Sequence, residues 1–289
     1  MHKRPLKNSG ITKILHITFV ELLMFFIVIL IISLIAGNDT SNIQLMKISQ
    51  LVESIGLFVI PPLLLAYLWN EKPAEYLYLK ATSKATDYLL VIILMIVAIP
   101  FINLLGNINQ QIALPEFMSG IEQWMKSTEE QLADLTEKIV NVHSLGGLSF
   151  NLLVIALVPA IGEELFFRGT IQKLFTERGK IHTGIWIAAI IFSTFHMQFY
   201  GFIPRMLLGA LFGYLLVWGK NLWLPITAHF TNNAFAVIFY YLKYNGVKVP
   251  DIDTIGTGST LWLGIVSGVI ATILFIFLSW KLKINKQEQ

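Results

Sequence analysis

The chain has 289 residues, 55% of them hydrophobic and 13% charged, with a net charge of +3 and a mean hydropathy of +0.67. Soluble domains are about 25% charged; the deficit here excludes a soluble globular protein, and so small a net charge gives no case for nucleic acid as a partner. With no cysteine, disulfides, thiolate zinc sites and cysteine nucleophiles are excluded.

Several apolar runs reach the roughly 20 residues needed to cross a bilayer core. Hydropathy predicts an all-α, polytopic membrane helix bundle of about eight transmembrane helices, over 14–36, 51–69, 88–105, 148–168, 183–200, 203–218, 222–242 and 260–280. Basic His2, Lys3, Arg4 and Lys7 precede the first run, whose apolar stretch extends to Ala36. That is too long for the core of a signal peptide, so it reads as an uncleaved span. With eight spans, both termini share a side. Of the 21 Lys and Arg residues, only Lys47, Lys126, Lys138, Arg205, Lys243 and Lys248 fall on the other one. The positive-inside rule then puts both termini in the cytoplasm of a plasma-membrane protein.

The longest connection, Gly106 to Gly147, is acidic, and Phe117, Ile121, Trp124, Met125, Leu132, Leu135 and Ile139 recur in it at helical spacing. An interfacial amphipathic helix is expected, with Ser127 and Glu130 as a capping box. The pairs Gly209–Gly213 and Gly264–Gly268 are GxxxG spacings suited to close helix packing. The chain divides into three spans plus this connection (1–146), a polar-bearing core (147–242), and a last span with a basic tail (243–289).

The stretch IGEELFFRGT (Ile161 to Thr170) ends the fourth apolar run with two adjacent carboxylates. A charge at the centre of a membrane helix costs about 2.5–3.5 kcal/mol on insertion scales, so such residues ask for a function. Glu164 and Arg168 are one turn apart and can pair. Glu163 points about 100° away, cannot share a partner with Glu164, and has no cation within a turn. A poorly hydrated carboxylate lacking a charge partner is a good proton acceptor. His196 and His229 are the histidines of the later apolar runs. Glu163 and His196 lie almost equally far along the chain from the turn at Arg178-Gly179-Lys180, so two helical arms bring them to one height. His229 stands closer to its own turn at Gly219 to Asn221. The heights agree if the fourth helix continues through TIQKLFTERGK into the cytoplasm, and the site is then expected in the cytoplasmic half of the membrane. Asn233 follows His229 by one turn on the same face. Glu21 and Glu53 read as structural or interfacial.

Glutamate with histidines can activate water, directly or through a metal, and an amide with an imidazole can stabilise an oxyanion. A proton relay in a transporter could use the same residue types. EELFFR fits EExxxR, FSTFH (Phe192 to His196) fits FxxxH, and HFTNN (His229 to Asn233) fits HxxxN. In that order, on successive membrane helices, these resemble the motifs of the CPBP family of intramembrane proteases, which includes type II CAAX prenyl endopeptidases and bacteriocin-immunity proteins. The match covers roughly Val154 to Asn233. The resemblance implies an intramembrane endopeptidase in which Glu163, assisted by His196, activates water. His229 and Asn233 would form the oxyanion pocket, and Glu164 and Arg168 would support Glu163. It leaves the metal question open: Glu163, His196 and His229 could hold zinc or work without it.

The implied partners are a membrane-associated peptide or protein substrate and the lipid bilayer. The Ile- and Lys-rich composition is that of a bacterial chain, which points to a pheromone precursor, a bacteriocin or another small membrane protein rather than a prenylated CAAX protein. The competing readings are a non-catalytic immunity or binding protein on the same scaffold, and a proton-coupled transporter, whose internal repeat symmetry the sequence does not display.

Overall fold

The computed structural model describes residues 9–37, 42–112 and 114–287. It is 85% helical, without strands among the described residues, and therefore all-α. In chain order the principal helices are α1 (Gly10–Ala36), α2 (Ile43–Trp69), α3 (Ala85–Gln110), α4 (Ser119–Val140), α5 (Leu145–Thr176), α6 (Ile181–Phe195), α7 (Phe202–Gly219), α8 (Trp223–Tyr244) and α9 (Leu261–Gln287). Each predicted apolar run is a helix, and the amphipathic segment is α4. The chain is a multi-pass membrane protein. Among the described residues, six helices are long and apolar enough to cross a bilayer. α6 has only 15 residues, and the apolar character of α8, a continuous helix, is diluted by His229, Asn232 and Asn233, so length and hydropathy alone place neither across the membrane. The basic residues His2, Lys3, Arg4 and Lys7, on which the orientation partly rests, lie outside the described residues.

Helix starts follow local chemistry. Ser9 caps α1 by accepting from Thr12 N, Asn42 caps α2 by accepting from Gln44 N and Leu45 N, and Ser144 caps α5 by accepting from Gly147 N. α4 starts at Ser119, behind Pro115, and the expected capping box is not formed. Ser127 lies within the helix and donates to Trp124 O (3.0 Å). The amphipathic pattern extends a further two turns N-terminal to the box, and an uninterrupted apolar face outweighed a local cap signal. Pro61 and Pro62 in α2 and Pro159 in α5 each follow a π-helical stretch, Ser54–Val59 and Leu152–Leu157. There the i→i−4 ladder that a proline breaks has already been given up.

In lipid, packing rather than water exclusion drives helix association, and small residues set how close helices come. α9 lies on α3 through Gly264 and Gly268, whose faces meet Leu104 and Phe101. Ser267 Oγ donates to Val97 O (2.5 Å) and accepts from Phe101 N (3.1 Å) at the same contact. Gly209 and Gly213 of α7 face Ala189 and Ile185 of α6. Phe166, Phe167 and Leu174 of α5 pack against Ile17, Val20, Leu65 and Trp69 of α1 and α2. Outward-facing Phe19, Leu34, Ile273 and Ile276 are exposed, forming the apolar exterior a bilayer requires. α5 continues without a break through Lys173–Thr176, and the turn to α6 closes at Gly179, where φ is +75°.

The connection between α6 and α7 belongs to the end of the bundle that bears α4. At 15 residues α6 spans about 22 Å, short of a ~30 Å core, and a turn at residues 196–198 and a single 3-10 turn at Phe199–Gly201 follow. Neighbours satisfy backbone groups of that segment. Asn109 donates to Phe199 O (3.0 Å) and accepts from Ile203 N (2.8 Å); Glu129 of α4 accepts from Tyr200 N (3.1 Å), and Trp124 packs on Phe199 with ring centroids 5.3 Å apart. α4 thus lies across this end of the bundle.

Candidate active site

α5, α6 and α8 each deliver one of the three motifs to a single level. Oε2 of Glu163 stands 3.9 Å from His196 Nε2 and 3.9 Å from His229 Nε2. The three side chains are 16%, 30% and 5% exposed respectively, so the cluster is buried yet reachable.

Local structure fixes which nitrogen of each imidazole carries the proton. His196 closes the C-terminus of α6, where the last carbonyls have no partner within the helix, and its Nδ1 lies 2.8 Å from Phe192 O. A carbonyl only accepts, so Nδ1 is the N–H and Nε2 offers a lone pair. His229 Nδ1 lies 3.0 Å from Glu164 Oε1. The same oxygen accepts from Arg168 NH1 at 2.8 Å, with both side chains 0% exposed. A carboxylate held by a guanidinium is ionised and accepts, so His229 also donates through Nδ1 and turns the Nε2 lone pair toward Glu163.

Here the sequence-based expectation needs correction. Glu163 and Glu164 do share a partner, because an imidazole presents nitrogens on two edges and the ring of His229 sits between the two carboxylates. The π-helical turn that starts at Glu164 departs from the 100° spacing on which the expectation rested.

Arg168 anchors the floor. Its NH1 holds Glu164, its NH2 donates to Gly209 O (2.9 Å), and its guanidinium lies 4.7 Å from the Phe192 ring and 5.2 Å from the Phe212 ring. Phe212 also stacks on His229, centroids 5.2 Å apart and 21° from parallel. Gly209 therefore serves twice, as a contact surface for α6 and as a bare carbonyl within reach of Arg168. Asn233 donates to Ile155 O (3.3 Å), leaving its second amide N–H free of that bond, and its oxygen accepts from Asn232 (3.2 Å).

A cavity of about 210 Å³ opens beside this cluster, lined by His196, Arg205, Phe212, His229, Asn232 and Asn233 among others. Its depth differs from the sequence expectation. Gly201, Pro204, Arg205 and Leu208 come from the α6–α7 connection and the first turns of α7, so the cavity lies in the half of the bundle nearer α4. His196 is at the end of α6 rather than along it; counting residues from the turn gave its height but not where the helix stopped.

Arg205, Gln198 and Asn232 were missed as site residues. The signal for Arg205 is a guanidinium in the first turn of an apolar helix, which counting charges by side treats only as a topology marker. As a metal site the set suits zinc in donor type but not in spacing. Two ligands of tetrahedral zinc stand roughly 3.3–3.5 Å apart against the 3.9 Å seen twice here, and no group of three His, Cys, Asp or Glu among the described residues is arranged to hold an ion.

A multi-pass helical membrane protein with carboxylate, imidazole and amide groups converging beside an internal cavity is the class that fold and site define. Residues 146–235 match the family model described as type II CAAX prenyl endopeptidase Rce1-like, the segment that carries all three motifs, and the resemblance read from those motifs is borne out there. The uncharacterized protein YpbD of Bacillus subtilis (strain 168) is 30% identical over 119 residues, 40% of this chain. The match spans 57% of that relative's length. No solved structure matches the chain.

Proposed function

We propose that the protein is an intramembrane endopeptidase that hydrolyses a peptide bond of a membrane-associated peptide or protein. The observation that carries this reading is the convergence of Glu163 Oε2 with two imidazole Nε2 atoms at 3.9 Å each, beside a cavity also reached by Asn233.

The chemistry follows from the proton positions. Glu163 and both Nε2 atoms are acceptors, the arrangement that takes protons from water rather than from a protein nucleophile. Water held among them gives one proton to Glu163 as its oxygen adds to the scissile carbonyl carbon. Asn233 N–H stabilises the resulting oxyanion. His229 joins it when Glu163 passes that same water proton to its Nε2, and returns the proton to Glu163 before the intermediate collapses. Collapse of the intermediate breaks the C–N bond, and Glu163 returns its proton to the departing amine. His196 orients the water. Since the metal spacing is not met, no step is assigned to an ion.

The experiment compares membrane proteomes of cells carrying the wild-type protein, no protein, or Glu163→Gln at matched abundance. The same uncleaved precursor accumulates in the two deficient strains. Wild-type and Glu163→Gln proteomes that cannot be told apart refute the hydrolytic reading.

A further inference from the structure

The hydrolysis just described leaves one charge in the cavity without a task. Arg205, half-buried in the first turn of α7, lines the cavity together with His196 and His229. Among the described residues it forms no ion pair; both its hydrogen bonds go to Gln198, one to the backbone carbonyl (3.4 Å) and one to the side-chain oxygen. Gln198 thereby aims the guanidinium without neutralising it. Glu129, which α4 brings near, accepts from Tyr200 N through one oxygen, and its charge and that of Glu163 act on Arg205 through space without forming an ion pair. A poorly hydrated cation in no ion pair is costly, and its planar fork is suited to a carboxylate in two-pronged contact. Arg205 lies beside Gly201 at the start of α7, whereas Phe192 and Phe212 pack against the histidine rings.

We propose that Arg205 binds a carboxylate of the substrate, either a chain-terminal carboxylate or an acidic side chain close to the scissile bond, and so selects where along the peptide cleavage falls. The inference rests on the hydrolytic reading above.

The test uses the purified full-length protein in lipid nanodiscs and synthetic peptides made in pairs, as C-terminal acid and C-terminal amide. A second amidated set carries a single Glu at each position in turn. Cleavage is followed by mass spectrometry, with thermal unfolding of every variant. The wild type favours carboxylate-bearing peptides by about 10- to 100-fold in kcat/KM, the range for a hydrogen bond to a charged group. Arg205→Gln collapses that ratio toward one. Arg205→Lys, which keeps the charge and loses the fork, lowers it several-fold and carries the test should the Gln variant fail to fold. Preference lost on amidation assigns the chain terminus; preference that follows Glu through the amidated set assigns a side chain. A ratio unchanged in Arg205→Gln or Arg205→Lys overturns the proposal. So does equal slowing of acid and amide peptides, which would make Arg205 a counterion of Glu163 only. A wild type no faster than Glu163→Gln on every peptide overturns the hydrolytic reading itself and this inference with it.

Discussion

Replacing Arg168 with Met removes a guanidinium from between Glu164 (2.8 Å) and Gly209 O (2.9 Å) without opening a large void. Both members of the ion pair are 0% exposed, so water cannot take over. Deleting one partner of a buried pair costs about 3–5 kcal/mol because the other charge stays behind, and loss of the added hydrogen bond to Gly209 O, which keeps its partner within α7, contributes about 0.5–1.5 kcal/mol more. The second variant, Glu164→Gln with Arg168→Met, removes both charges and leaves a neutral amide beside His229. It is expected to recover at least about 2 kcal/mol relative to the single change. The measurement is equilibrium unfolding in mixed detergent micelles, completed as a double-mutant cycle with Glu164→Gln alone. An Arg168→Met cost below about 1 kcal/mol, or a double variant no more stable than Arg168→Met, refutes the argument that a desolvated ion pair organises the floor of the site.

Glycine contacts predict opposite signs for one chemical change. Gly264→Ala would place a methyl against the carbonyl of Gly256 (2.5 Å) and the side chain of Leu104, costing about 1–3 kcal/mol; Gly120→Ala in α4 meets nothing within 4 Å and stabilises by about 0.5–1 kcal/mol, both read as shifts in thermal unfolding. Chelation by EDTA and by phenanthroline leaves peptide cleavage unchanged when catalysis uses side chains alone. Loss of cleavage restored by added zinc would show that the donors close around an ion in the working protein.

The helices were legible because apolar runs in lipid are read directly from hydropathy, and the principal residues of the site because an ionisable group in such a run needs a reason to be there. The pairing of Glu164 with Arg168 followed from their spacing alone. What the sequence hid depends on where regular geometry stops. α6 ends at Phe195, so His196 is a helix terminus and the cavity moves toward α4. A π-helical turn at Glu164 lets one imidazole meet both acids. Asn109, distant in sequence, bonds both Phe199 O and Ile203 N, a link no local pattern announces. Arg205 was in plain view, but its role depends on which groups surround it, which only tertiary structure supplies.

The shortness of α6 also bears on which chains can reach Glu163. α6 is about 8 Å shorter than a bilayer core, and α4 lies over the segment that follows it. On the proposed hydrolysis a substrate approaching there would present extended backbone, so segments that unwind easily near a membrane anchor's end would be favoured over stable transmembrane helices cut at their centre.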